Sequence, residues 1–86
     1  MLIYVISESA EGPCKIGFAD RTKHRLSCLQ SGNPRKLSLV YEEECTNYRM
    51  GERIAHHRAN PKRQLSGEWF AITELEAIKA RMYPNP

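Results

Sequence analysis

Two apolar runs near the start of the chain predict a β-hairpin. Leu2–Ser7 is rich in β-branched and aromatic residues, and a second apolar run covers residues 14–18. The turn-forming residues Glu11, Gly12 and Pro13 separate the two runs. Because side chains alternate along a strand, we expect every second residue of each run to share one face of the hairpin.

Two helices are predicted in the middle of the chain. The first covers residues 21–31, with Asp20 as its N-cap and Gly32 at its end. The second covers residues 47–58 and begins behind a Thr46 cap.

A third strand and a last helix complete the pattern. Apolar and polar residues alternate in the first half of residues 37–45, which predicts the strand. Thr73 and Glu76 have the spacing of a capping box and open the helix, which carries Leu75 and Ile78 on one side and ends at Pro84. The order of elements is therefore ββαβαα.

Length and charge narrow the range of functions. The 86 residues contain no repeat or linker, so a single small α/β domain over residues 1–86 is expected. The net charge of +3 permits a polyanionic partner but is lower than that of a dedicated nucleic-acid binder. Acidic residues concentrate at Glu42–Glu44, so we expect one acidic face and one basic face.

The cysteines and the apolar runs indicate the compartment. Cys14, Cys28 and Cys45 are widely spaced and odd in number, which favours free thiols in a reducing cytoplasm. No run approaches the roughly 18 apolar residues of a membrane span. A soluble cytoplasmic protein without a membrane partner is expected.

Tyr4 and Lys15 are the first candidates for chemistry. On a paired hairpin they can share one face, where cross-strand neighbours lie within roughly 5 Å. A phenol beside an ammonium suits phosphate chemistry, although a strand aromatic packed in the core is the simpler explanation of Tyr4 alone. Arg25, Glu52 and His56 follow on the predicted helices and favour the functional interpretation.

This ordered set resembles the GIY-YIG nuclease superfamily, in particular its short phage and bacterial branch, whose second motif reads Lys-Ile-Gly. The resemblance runs from Leu2 to Phe70. Five motifs carry it: Leu2-Ile3-Tyr4, Lys15-Ile16-Gly17, Arg25-Leu26 through Gly32-Asn33-Pro34, Glu52 with His56, and Gly67-Glu68-Trp69-Phe70. The implied fold is a small α+β domain with a three-stranded antiparallel sheet flanked by helices.

The resemblance implies metal-dependent hydrolysis of DNA in a bacterial or phage-infected cell. Tyr4 would orient or deprotonate the attacking water, Arg25 would hold the phosphate, and Glu52 would bind one Mg²⁺ or Mn²⁺ ion. Lys15 replaces the second tyrosine of the family. Because a free phenol has a pKa of about 10, Lys15 is expected to favour the Tyr4 anion. His56 shares the Glu52 face of its helix and is included in the catalytic group.

Other residues are assigned to structure or to DNA contact. Gly17 permits a close approach of two elements, Gly32 and Asn33 form a turn, and Trp69 is a core aromatic. Six basic residues are candidates for contact with the DNA backbone, with solvated surface charge as the alternative: Lys23, Arg35, Lys36, Arg58, Lys62 and Arg63.

The sequence leaves three functional hypotheses open. The first is an active endonuclease whose specificity is low or comes from a homodimer or a partner protein. The second is a non-catalytic module that binds nucleic acid or protein on the same fold. The third and weaker one is an interaction protein that uses the acidic face at Glu42–Glu44.

Overall fold

A computed structural model of the chain describes residues 1–82, so Pro84, the predicted end of the last helix, lies outside the described residues. The elements in chain order are β1 Leu2–Ser7, β2 Cys14–Ala19, α1 Thr22–Ser31, β3 Ser38–Glu44, α2 Tyr48–Arg58, a 3₁₀ turn Pro61–Arg63, β4 Gln64–Ser66, β5 Trp69–Phe70 and α3 Glu74–Met82. No helix within residues 1–82 has the length and apolar character needed to cross a bilayer.

The sheet has five strands in the order β3-β1-β2-β5-β4, and every pairing is antiparallel. The α+β class is therefore confirmed, but the three-stranded sheet and the order ββαβαα were wrong. The two additional strands contain three and two residues. Segments this short cannot display the alternation by which a strand is recognised in a sequence.

The helices cover both faces of the sheet. Val5 and Ile16 belong to one apolar cluster together with residues of α2 and α3. Tyr4 and Ile6 belong to a second cluster, against which Leu26 of α1 packs. We call the second side the Tyr4 face.

The predicted helix caps had different outcomes. Thr73 and Glu76 form the reciprocal capping box, with hydrogen bonds of 2.9 and 3.1 Å between each backbone N–H and the other side chain. At α1 the N-cap is Arg21 instead of Asp20, and at α2 it is Asn47 instead of Thr46. Neither N-cap side chain makes a capping hydrogen bond within the described chain.

Small residues form the contact between α2 and α3. Ala55 of α2 and its C-cap Ala59 lie in one buried cluster with Ala77 and Ala80 of α3. Leu75, expected on the same side of the helix as Ile78, is 61% exposed. Because alanine side chains allow two helices to approach closely, α3 turns its alanine side inward and leaves the larger leucine at the surface.

Candidate active site

Tyr4 and Lys15 share the Tyr4 face of the β1–β2 hairpin, in agreement with the alternation. In the antiparallel register Tyr4 lies opposite Gly17, and Lys15 lies opposite Ile6. Tyr4 and Lys15 are therefore diagonal neighbours. Their residues are only 1% and 7% exposed, so the hairpin supplies a buried floor for the site.

Gly17 leaves a space that two polar side chains occupy. A Cβ atom at this position would lie 2.7 Å from the Tyr4 hydroxyl oxygen and 2.7 Å from Glu68 Oε1. Contacts this short do not occur for real Cβ atoms. Gly17 therefore permits the close approach of Tyr4 and Glu68 to β2.

Lys15 forms an ion pair with Glu68. Its Nζ atom lies 3.0 Å from Glu68 Oε1, and the two side chains are 9% and 34% exposed. Burial raises the pKa of Glu68, but hydrogen bonds with Lys15 and Glu52 and the Lys15 charge outweigh burial and leave it below its ordinary 4.5. The positive charge of Lys15 is therefore compensated by Glu68.

Glu68 reaches the site because the β4–β5 turn ends beside β2. Its carbonyl oxygen accepts a hydrogen bond from the N–H of Ile16 at 3.1 Å. The ladder between β2 and β5 pairs Cys14 and Lys15 with the last strand. Just past the residues paired with β5, the Ile16 carbonyl accepts a hydrogen bond from His56 Nε2–H at 2.8 Å. This bond attaches α2 to the edge of β2 that faces β5.

Glu52 lies one helical turn before His56 and approaches the same edge. Burial, followed by the hydrogen bond with Glu68 and the Glu68 charge, raises the pKa of Glu52 from 4.5 to about 7, while Lys15 opposes the shift. Glu52 Oε2 is buried and has no hydrogen-bond partner among residues 1–82. A buried carboxylate oxygen without a partner is unfavourable unless a proton or a cation reaches it.

Arg25 reaches the Tyr4 hydroxyl from α1. The exposed Arg25 interacts with this hydroxyl and favours its anion. Burial raises the pKa of Tyr4 above 10.0, Arg25 opposes the shift, and the charges of Glu68 and Glu52 add to it. The cation that favours the Tyr4 anion is therefore Arg25 and not Lys15, because Lys15 is held by Glu68.

The site fits a hard divalent cation. Residues 1–82 contain no group of three or more His, Cys, Asp or Glu side chains arranged to hold a metal ion. Mg²⁺, however, commonly binds through one or two carboxylates and retains several waters. The unpaired Glu52 Oε2 atom provides an oxygen donor of this kind.

His56 and Trp69 support the site from two sides. Besides its bond to Ile16, the His56 ring lies 5.1 Å from the Phe70 ring, measured between centroids. Trp69 is partly buried against the cluster that contains Tyr4, as expected for a core aromatic. In this structure His56 therefore fixes α2 on β2.

Gly32 and Asn33 end α1 as predicted. The Gly32 N–H donates to the Gln30 carbonyl, and Asn33 Oδ1 accepts from the Arg35 N–H at 2.9 Å. The Gln30 side chain accepts from the N–H of Leu37 at 2.7 Å, which holds the loop against α1. Gly32 has a φ of −101° and is not in the left-handed region, so other residues can occupy this position.

The six basic candidates do not form one face. The α1 group comprises Lys23, Arg35 and Lys36, on α1 and the loop that follows it. The α2 group comprises Arg58, Lys62 and Arg63, at the end of α2 and in the 3₁₀ turn. Arg58 and Arg63 line a cleft of ≈ 460 Å³ together with Lys79 of α3. Because α1 and α2 pack on opposite faces of the sheet, the prediction of a single basic face was wrong.

Comparison with known proteins identifies a domain family that matches this chain. The family model of the T5orf172 domain matches residues 1–82. This domain is associated with phage proteins related to nucleases. No curated protein and no solved structure matches the chain. The matched range includes every element from β1 to α3, and with them Tyr4, Lys15, Arg25, Glu52 and Glu68.

Proposed function

Because the chain belongs to the T5orf172 domain family, we propose that it is a metal-dependent DNA endonuclease of the GIY-YIG type. The observation that carries the proposal is the convergence of Tyr4, Arg25 and Glu52 at one edge of β2. Tyr4 is buried, Arg25 is exposed, and Glu52 has an unpaired buried oxygen. A purely structural role does not account for this combination of a phenol, a guanidinium and an unpaired carboxylate.

Arg25 and Tyr4 act together on the scissile phosphate in this proposal. The planar guanidinium of Arg25 offers paired donors that suit phosphate oxygens. Its interaction with Tyr4 brings the phenol beside the phosphate. Because burial raises the pKa of Tyr4, the phenol is protonated near neutral pH and orients the attacking water through its hydroxyl.

Glu52 holds the divalent cation in this proposal. Its unpaired Oε2 atom supplies an oxygen donor, and a water-rich coordination shell suits a site open to DNA. When bound, Mg²⁺ or Mn²⁺ would stabilise negative charge on the phosphate and lower the pKa of a coordinated water.

The α1 group contacts the DNA backbone in this proposal, because it shares α1 and its C-terminal loop with Arg25. Lys23 and Lys36 are exposed. Phosphate contacts give affinity without sequence information, so specificity is low or comes from a homodimer or a partner protein. We expect Lys36→Ala to weaken DNA binding more than Lys62→Ala, which removes an equally exposed lysine from the α2 group, in filter-binding titrations at low salt.

The deciding experiment is plasmid nicking. Wild-type protein, Glu52→Ala and the surface control Lys79→Ala are incubated with supercoiled plasmid in Mg²⁺, Mn²⁺ or chelator. Nicking that requires metal, disappears in Glu52→Ala and persists in Lys79→Ala supports the nuclease. Absence of cleavage by wild type on plasmid, branched and single-stranded DNA refutes it. DNA binding without cleavage would identify the non-catalytic module instead.

A further inference from the structure

One ammonium in the site lies beside two carboxyl groups. Lys15 Nζ is 3.0 Å from Glu68 Oε1, and only 9% of the Lys15 side chain is exposed. The carboxyls of Glu52 and Glu68 interact with each other, and the Lys15 charge stabilises the anions of both. Lys15 therefore contacts Glu68 and acts on Glu52 through its charge.

The backbone decides which carboxylate Lys15 contacts. The Glu68 carbonyl is fixed to the N–H of Ile16, the residue after Lys15 in β2. The missing side chain of Gly17 lets Glu68 Oε1 come close to the same strand. Glu52 comes from α2, and its Oε2 atom makes no hydrogen bond within the described chain. This arrangement assigns Lys15 to Glu68 and leaves Glu52 without an ion-pair partner among the described residues.

We propose that Glu68 is a positioning residue that keeps the Lys15 ammonium away from Glu52, so that the Glu52 carboxylate stays available to a divalent cation. The inference rests on the proposed function, because it takes Glu52 as the metal ligand. Without the Glu68 charge, Lys15 is a buried cation that lacks its anion, which is strongly unfavourable. The carboxylate of Glu52 is then its remaining partner, and the new ion pair competes with the metal.

Binding of Mn²⁺ tests this inference without any cleavage assay. Free Mn²⁺ is measured by its electron paramagnetic resonance signal during titration of the full chain. We expect Glu68→Gln to lower Mn²⁺ affinity by about 10- to 100-fold, the usual effect of losing a residue that supports a metal ligand. We expect the double variant Lys15→Met/Glu68→Gln to recover wild-type affinity, because the competing ammonium is gone. Lys79→Met removes a lysine from α3 and should change nothing.

The recovery distinguishes positioning from two other roles. If Glu68 binds the metal directly, the double variant binds as weakly as Glu68→Gln, and the inference is overturned. If Glu68 only supports the fold, removal of Lys15 does not restore Mn²⁺ binding, and the inference is again overturned. Circular dichroism checks folding, and the double variant is the safer one because removing both members of a buried pair is tolerated better than removing one.

Failure of the inference can be separated from failure of the proposed function. If Mn²⁺ binding is lost in Glu52→Ala but unchanged in Glu68→Gln, the metal site stands and only the role of Glu68 is refuted. If wild type binds no Mn²⁺, or if Glu52→Ala binds it normally, the metal site is refuted and the inference with it.

Discussion

The raised pKa of Glu52 predicts that the folded protein becomes less stable as the pH rises. Its pKa increases from 4.5 to about 7 on folding, mainly through burial and then through Glu68. A carboxyl with a higher pKa in the folded state binds its proton more tightly there. Its stabilising contribution is therefore complete below 4.5 and is lost as the pH passes through about 7. Glu68, whose pKa is lowered, stays ionised throughout this window.

The size of the effect follows from the shift. A change from 4.5 to about 7 corresponds to about 3 kcal/mol for a fully shielded group, at about 1.4 kcal/mol per pH unit. Glu52 is only half-buried, and solvent screening reduces this value. We expect about 1–2 kcal/mol of unfolding free energy to be lost between about pH 5 and pH 8.

Urea unfolding in chelator, followed by circular dichroism at both pH values, measures this loss. The variant Glu52→Gln resembles the protonated carboxyl and cannot ionise, so it should lose about 1–2 kcal/mol less than wild type over the same pH range. Glu11→Gln, which removes an exposed carboxyl from the hairpin loop, should behave as wild type. An identical pH dependence for Glu52→Gln and wild type would refute the reasoning.

Three further predictions use matched pairs or a conservative change. Gly17→Ala should lower the free energy of unfolding in urea by about 1–3 kcal/mol, because the new Cβ would lie 2.7 Å from two oxygen atoms. Gly32→Ala, which places its Cβ in open space at an ordinary φ, should leave the free energy of unfolding unchanged. Equal stabilities of the two variants would contradict the close packing at Gly17. Arg25→Lys should reduce plasmid nicking about 100-fold, because lysine lacks the planar fork; unchanged nicking argues against phosphate contact. Thr73→Ala should destabilise the chain by about 0.5–2 kcal/mol in urea unfolding, because it removes the helix cap. Thr46→Ala should destabilise it by less than about 0.5 kcal/mol, because Thr46 is not the N-cap of α2. A larger effect for Thr46→Ala than for Thr73→Ala would contradict the observed caps.

The sequence predicted the features whose signals are local. Two alternating runs and a turn determine the β1–β2 hairpin, and with it the shared face of Tyr4 and Lys15. The prediction of the capping box was correct because it required two residues, Thr73 and Glu76, at a fixed spacing. The cap predicted at Asp20 rested on one residue, and a shift of one position at the helix start was enough to remove it.

The features that the sequence did not predict depend on contacts between distant parts of the chain. A strand of two residues, Trp69–Phe70, has no pattern of its own, and its pairing with Cys14 and Lys15 forms only when the whole sheet assembles. Glu68 was therefore missed as a site residue, although it lies within a recognised motif. The partner of Lys15 was missed for the same reason, since the sequence does not show which of the nearby charges the fold brings to it.

The candidate site draws its residues from almost the whole chain. Tyr4 comes from β1, Lys15 from β2, Arg25 from α1, Glu52 from α2 and Glu68 from the β4–β5 turn. These residues lie between positions 4 and 68, so only a fragment that spans this range contains the complete set. Small domains usually fold in an all-or-none transition. In the proposed nuclease, a chain still being synthesised, or one truncated before Glu68, would therefore lack part of the cutting site.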